Sequence, residues 1–204
     1  MSIFVIRHGE TAGNAARIVQ TPETPLSPRG IEQADRLARR LAGEGIGRIL
    51  TSDLLRAAMT AERIHAATGA PIVHEPLLHE RNFGDLRGTA YDDLGVDLFA
   101  EDLDPAGGES WAVFHERVTT AWAVIRAAAA ATPGNLAVVT HGLVCLSLVQ
   151  NHCSVAPGAP VPLRFGNTAV TIVDASAPWR ALRINCTAHL GGAETADDAS
   201  GGAL

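Results

Sequence analysis

The chain has 204 residues, 47% of them hydrophobic and 19% charged, and a formal net charge of -6. That length suits one α/β domain with a sizeable core. The negative balance argues against nucleic acid or an anionic membrane as the main partner, since either needs a basic face; any phosphate chemistry must rest on a local cluster of cations.

In chain order, Ile3–Ile6 is a short apolar run that reads as a buried strand. The stretch "LSPRGIEQADRLARRLAGEG" follows, with Ser27 placed to cap a helix, Pro28 at its first position, and Ile31, Ala34, Leu37 and Leu41 at helical spacing. Gly43 or Gly45 is positioned to end it. "GRIL" and "TSDLLRAAMTAERIHAATG" repeat the theme: strand, polar turn with Ser52 as cap, amphipathic helix, glycine stop. "PIVHEPLL" is a further extended piece. Residues 89–109 are polar, acidic and without period. Beyond Ser110, the spacing of Trp111, Phe114, Val118, Trp122, Ile125 and Ala129 predicts a helix packed on one face. "NLAVVT" reads as the next buried strand and "HGLVCLSLVQNH" as an apolar helix. "AVTIVD" and "ALRINC" read as a final strand pair, the first of them an edge that pairs across a homodimer or a strand that the fold covers.

This alternation predicts a three-layer α/β/α sandwich with a mostly parallel central sheet, a single domain over residues 1–190. The tail, 191–204, has no large apolar residue before Leu204 and is expected to be disordered. No run approaches the about 18 apolar residues of a membrane span, and Ile3–Ile6 is too short for a signal peptide. Cys145, Cys153 and Cys186 form no CxxC pair, and are expected to be reduced, partly buried and away from cations. A cytoplasmic location is therefore expected.

In a parallel sheet, ligands sit beyond the carboxyl ends of the strands. Three polar stretches fall there: "RHGET", "TSDLLR" and "THG". They would bring together Arg7, His8, Arg56 and His141, and such a set repels itself unless an anion holds it. A phosphoryl group is the natural occupant, because guanidinium forks match its oxygens. Gly9 and Gly142, each after a histidine, would let backbone N–H groups approach the same anion, and Asn14 would add a neutral donor. A histidine among cations is held neutral, so its free nitrogen can attack phosphorus. Glu80, in "LLHERNFGDLRG", is the candidate to protonate the leaving alkoxide and then deprotonate water. The remaining histidines read as structural or exposed.

In order and spacing, "RHGET", "SDLLRAAMTA", "HERNFGDLRG", "GGES" and "VVTHG" resemble the histidine phosphatase superfamily, in its phosphoglycerate-mutase-like branch. The resemblance implies a phosphohistidine on His8, phosphate binding by Arg7, Arg56 and His141, proton transfer by Glu80, Asn14 at the pocket edge, and a backbone N–H from Gly142. It implies no cofactor and no metal. Many members carry Gln-Gly and an acidic residue ahead of Pro-Leu, where this chain has "QTPETPLS"; substrate contacts at Gln20 and Thr21 are expected to differ accordingly. The glutamate often found before the last glycine of "FGDLRG" is Arg87 here.

The expected substrate is a small-molecule phosphate ester. Asp92, Asp93, Asp97, Glu101, Asp102, Asp104 and Glu109 line one segment that has no Lys or Arg between Gly88 and Glu109. An acidic lid of this kind disfavours a bisphosphorylated intermediate, so hydrolysis is expected ahead of a mutase reaction. A non-catalytic binding protein of the same fold is a further alternative, disfavoured by the intact set of five residues.

Overall fold

The computed structural model of the chain describes residues 1–191. Eleven elements matter here: β1 (Ser2–Arg7), α1 (Ala12–Ala15), α2 (Pro28–Leu41), β2 (Ile46–Thr51), α3 (Leu55–Thr68), β3 (Ile72–His74), α4 (Trp111–Ala131), β4 (Asn135–Thr140), α5 (Gly142–His152), β5 (Val170–Asp174) and β6 (Ala181–Cys186). The strands form one sheet in the order β3-β2-β4-β1-β5-β6. The first four run parallel, while β5 is antiparallel to β1 and β6 antiparallel to β5.

Because β1 is buried on both faces, it reads as a continuous apolar run. Ile3 and Val5 point into one core, with Phe114, Val118 and Ile125 of α4 and Leu148 of α5. Phe4 and Ile6 point into the other, with Leu37 and Leu41 of α2 and Ala57, Ala61 and Ile64 of α3. The two-residue period of the strand therefore divides one apolar run between two helix layers, which gives the three-layer arrangement.

Several local expectations change. Ser27 caps α2 as read, accepting from Gly30 N–H at 3.0 Å, but α2 ends at Leu41 ahead of either glycine. Ser52 does not cap α3: Leu54 holds that position without a side-chain hydrogen bond. "PIVHEPLL" is strand only at Ile72–His74 and then turns as a 3-10 helix at Pro76–Leu78. The aperiodic acidic stretch contains a 3-10 turn at Tyr91–Asp93. Of the two readings of β5, the covered strand holds: it lies between β1 and β6 and is not an edge. Cys145 is buried and Cys153 half-buried, but Cys186 does have cationic neighbours: the Arg40 and Arg183 guanidiniums lie 3.5 Å and 3.6 Å from its sulfur. The expected disordered tail lies outside the described residues, apart from Gly191. Among the described residues no helix is long and apolar enough to cross a membrane.

Candidate active site

Strand register levels the three polar loops. Arg7 pairs with Thr140 across β1 and β4, and Thr51 pairs with Val139 across β2 and β4. One residue further on, the ladders finish with His8 N–H on Thr140 O (3.0 Å) and Ser52 N–H on Val139 O (3.0 Å). His8, Ser52 and His141 thus emerge side by side at the carboxyl edge of three adjacent parallel strands. Parallel strands need no shared turn, so only their pairing brings these positions together.

The His8 ring is buried, and its Nδ1 lies 2.6 Å from Gly9 O. A carbonyl oxygen only accepts, so Nδ1 carries the hydrogen and Nε2 is left with a lone pair. Burial, then the charges of Arg56 and Arg7, hold the imidazole well below its ordinary pKa, so it is neutral at physiological pH. Gly9 N–H donates to Thr60 Oγ1 (3.1 Å), and that hydroxyl donates to Arg56 O (2.8 Å), tying the His8 loop to α3. At Gly9 a Cβ would stand 2.5 Å from Gly30 O. Glycine is required there by contact with α2, whereas a Cβ at Gly142 would make only ordinary contacts, 3.6 Å from Arg7 Nε and 3.8 Å from Glu80 Oε2.

The cations come from different elements. Arg7, buried at the end of β1, donates from Nη1 to Phe165 O. Arg56, buried in the first turn of α3, donates from Nη1 to Thr21 O at 3.1 Å. Burial lowers its pKa to about 10, with Glu80 opposing that shift and Arg7 adding to it, so it stays charged at neutral pH. His141 holds the N-cap position of α5 without a side-chain cap bond; its ring lies 5.1 Å from that of His8, centroid to centroid, and its Nε2 2.9 Å from Ser52 Oγ. Burial first, then Arg56 and His8, lower its pKa well below the ordinary value. Arg56 Nε and His141 Nδ1 are buried without a hydrogen-bond partner among the described residues. Orphaned donors in a cationic pocket fit an anion with several acceptor oxygens.

Glu80 is buried, not a surface ion-pairing residue. Its Oε1 accepts from Arg81 N–H at 3.0 Å and its Oε2 from Leu143 N–H at 3.1 Å. Burial raises its pKa despite these two bonds and the charges of Arg56 and Arg7. Two side chains clamp the segment that carries it. Arg117 donates to the carbonyls of Leu77, His79 and Glu80 at 2.8, 2.9 and 3.3 Å, and Thr140 Oγ1 donates to Leu78 O at 2.7 Å. His79, beside Glu80, is paired with Asp53.

A cleft enclosing about 390 Å³ of empty space, partly open to solvent, is lined by His8, Gln20, Arg56, Glu80, Arg87 and Tyr91 among others. Gln20 reaches it while accepting from Thr11 Oγ1 at 2.9 Å. Thr21 turns its hydroxyl to Thr24 (3.2 Å) and serves the site through its carbonyl on Arg56. Asn14 is buried behind the His8 loop, its Oδ1 accepting from Thr11 N–H (3.2 Å) and from Asn167 Nδ2 (3.4 Å), and Asn167 also donates to His8 O (3.1 Å).

The sequence profile of the histidine phosphatase superfamily (branch 1) matches residues 3–187. The chain belongs to this superfamily. Among its relatives, the probable phosphoglycerate mutase GpmB of Serratia proteamaculans is 30% identical over 194 residues, covering 89% of this chain and 88% of the relative. The protein of the same name from Yersinia enterocolitica is 32% identical over 193 residues, with the same coverage. A solved structure of a putative alpha-ribazole-5'-P phosphatase from Escherichia coli superposes with a TM-score of 0.77 at 28% identity, over 92% of this chain and 97% of that one. A phosphoglycerate mutase from Bacillus anthracis gives 0.79 at 22% identity, over 93% and 95%, a likeness of fold. Phosphatases and mutases both stand among this chain's neighbours.

Sequence reasoning missed four contributors. Ser52 reads in sequence as a helix cap, and no local signal pairs it with His141. Thr60 stands four residues after Arg56, one helical turn on, a spacing that carries a detectable signal. Arg81 holds the segment after Glu80 in place. The Leu143 N–H has no side-chain signature.

Proposed function

We propose that this chain hydrolyses small-molecule phosphomonoesters through a phosphohistidine on His8, in the cytoplasm. The observation that carries the proposal is the His8 Nδ1–H bond to Gly9 O, which leaves a neutral ring with its lone pair on Nε2. That lone pair attacks phosphorus, a P–N bond forms, and the P–O ester bond breaks. The leaving alkoxide takes the proton of Glu80, whose raised pKa favours the acid form. Gly9 O then stabilises the positive charge that the phosphorylated ring shares through Nδ1–H. In the second half, the Glu80 carboxylate takes a proton from water, the water oxygen attacks phosphorus, and the P–N electron pair returns to Nε2 as orthophosphate departs. Arg7, Arg56 and His141 offset charge on the equatorial oxygens.

The surroundings of the cleft favour water as acceptor. Its outer wall carries Glu23, Asp53 and Glu109, and the Arg117 cation there is paired with Glu109 at 2.7 Å, leaving Arg87 as the cation shared with the inner cleft. A second phosphate, which a mutase must retain, meets little positive charge there. The relatives' names divide between mutase and phosphatase, so the test includes both reactions. Phosphate release from a panel of phosphomonoesters, in chelator, is expected for the wild type and absent for His8→Ala. Isomerisation of phosphoglycerate stimulated by bisphosphoglycerate, with no net phosphate release, overturns hydrolysis. Release that survives in His8→Ala overturns the nucleophile.

A further inference from the structure

Ser52, the residue after β2, is fully buried, and its hydroxyl meets two groups. Leu54 N–H donates to Oγ at 3.3 Å, and Nε2 of His141 lies 2.9 Å from it. A serine hydroxyl has one proton to donate. Leu54 N–H is itself a donor, so the acceptor within reach is His141 Nε2. A ring nitrogen that accepts carries no hydrogen, and a neutral imidazole then keeps its proton on Nδ1. That Nδ1 is buried without a partner among the described residues, in the ring that faces His8 at 5.1 Å. An N–H in such a place needs an acceptor, and the phosphoryl oxygens held by Arg7 and Arg56 provide one.

We propose that Ser52 is a positioning residue that holds His141 as a neutral Nδ1–H donor toward the phosphoryl group. The two histidines carry their protons on the same ring atom yet present opposite chemistry. His8 spends its Nδ1–H on Gly9 O and offers a lone pair; His141 spends its Nε2 on Ser52 and offers a proton. No proton leaves His141 during turnover. Its hydrogen bond shortens as charge gathers on the equatorial oxygens, so the contribution is felt in the transition state. The burial and the cations that depress the His141 pKa favour this neutral form over an imidazolium. The inference rests on the pocket's being a phosphoryl site, and not on whether water or another acceptor completes the reaction.

The test is ¹⁵N-histidine NMR of the full chain, with His141 assigned by the resonances that His141→Gln removes. At neutral pH the wild type should show hydrogen on Nδ1 and a bare Nε2, and inorganic phosphate should shift the Nδ1–H signal. Hydrogen on Nε2, an imidazolium, or a Nδ1–H signal indifferent to phosphate that shifts the His8 resonances overturns the proposal. In kinetics, Ser52→Ala should lower kcat on the order of 10- to 100-fold with KM nearly unchanged. In a His141→Gln background the same change should cost nothing further; an equal loss in both backgrounds overturns the positioning role. Should Ser52→Ala not fold, the wild-type spectrum decides. Should the wild type turn over no ester, the reading of the reaction fails, while the spectrum and the phosphate response still decide on Ser52.

Discussion

Leu143 donates its backbone N–H to Oε2 of Glu80 across 3.1 Å, joining the first turn of α5 to a carboxyl 63 residues away in sequence. The bond favours the carboxylate, as does the one from Arg81 N–H, yet burial outweighs both and the pKa of Glu80 is raised. The site therefore holds a carboxyl whose neutral form is favoured by burial and whose charged form is already provided with two donors. That arrangement suits a group that gives up a proton in one half-reaction and takes one back in the next.

The pH dependence of kcat/KM should be bell-shaped. His8 must be neutral, so activity falls as pH drops through its lowered pKa. Glu80 must be protonated toward a poor leaving group, so activity falls as pH rises through its raised pKa. Glu80→Gln should lose the alkaline limb and slow alkyl phosphates by about 10²- to 10⁴-fold, while sparing an aryl phosphate whose phenolate needs no proton. Equal losses on both substrates would remove Glu80 from the acid role.

Stability should fall on acidification from neutrality. In the unfolded chain histidines titrate near their ordinary value of about 6.5, whereas His8 and His141 in the folded chain titrate well below it. The unfolded state thus binds more protons below that value, and stability that is complete above it is lost as pH falls toward the folded values. Each such histidine contributes a slope of about 1.4 kcal/mol per pH unit in that window. Urea unfolding should show His141→Gln flattening the slope by about half that amount near pH 6.5 and by nearly all of it toward about pH 5.5. An unchanged slope would place the proton uptake elsewhere.

Arg81 should prove structural and costly to remove. Its guanidinium donates to the carbonyls of Glu109 (3.0 Å), Leu98 (3.3 Å) and Leu103 (2.6 Å), and stands 4.0 Å over the Trp111 ring. Arg81→Met keeps the stem and takes the donor from three carbonyls, one of them in a buried bond, at about 3 kcal/mol in chemical unfolding. Hydrogen exchange should rise across residues 97–109 before it rises in the sheet. Uniform exchange would mean that the segment does not depend on this residue.

Gly30 should be irreplaceable and Gly43 tolerant. A Cβ on Gly30 would stand 1.9 Å from Glu10 O, a contact between two backbones that neither α2 nor the His8 loop can relieve, whereas one on Gly43 meets nothing within 4 Å. Gly30→Ala should cost about 4 kcal/mol or more, and Gly43→Ala should change the melting temperature little. A soluble Gly30→Ala protein with wild-type melting would show that the loop can retreat from α2.

Much of the site was legible because its chemistry follows strands that announce themselves. Arg7 and His8 come after the apolar run of β1, His141 after that of β4, and Arg56 one turn into an amphipathic helix. The errors concern partners, not residue types. Glu109 counts in the sequence among the acids of a solvated lid, yet it is bound to Arg117 through both carboxylate oxygens and accepts Asn82 N–H at 2.9 Å. Ser52 looks like a cap, because serine before a helix usually is one, and only the pairing of β2 with β4 sets it against His141.

By itself, then, the sequence determined which side chains stand at the carboxyl ends of the strands and that helices cover both faces of the sheet. Those properties follow from local periodicity and from the two-residue repeat of a strand. The tertiary structure decided which nitrogen of each histidine carries a proton, which residue holds each cation, and that burial raises the pKa of Glu80. Those depend on desolvation and on hydrogen bonds between residues as far apart as Ser52 and His141, and such distances are closed only when the sheet assembles.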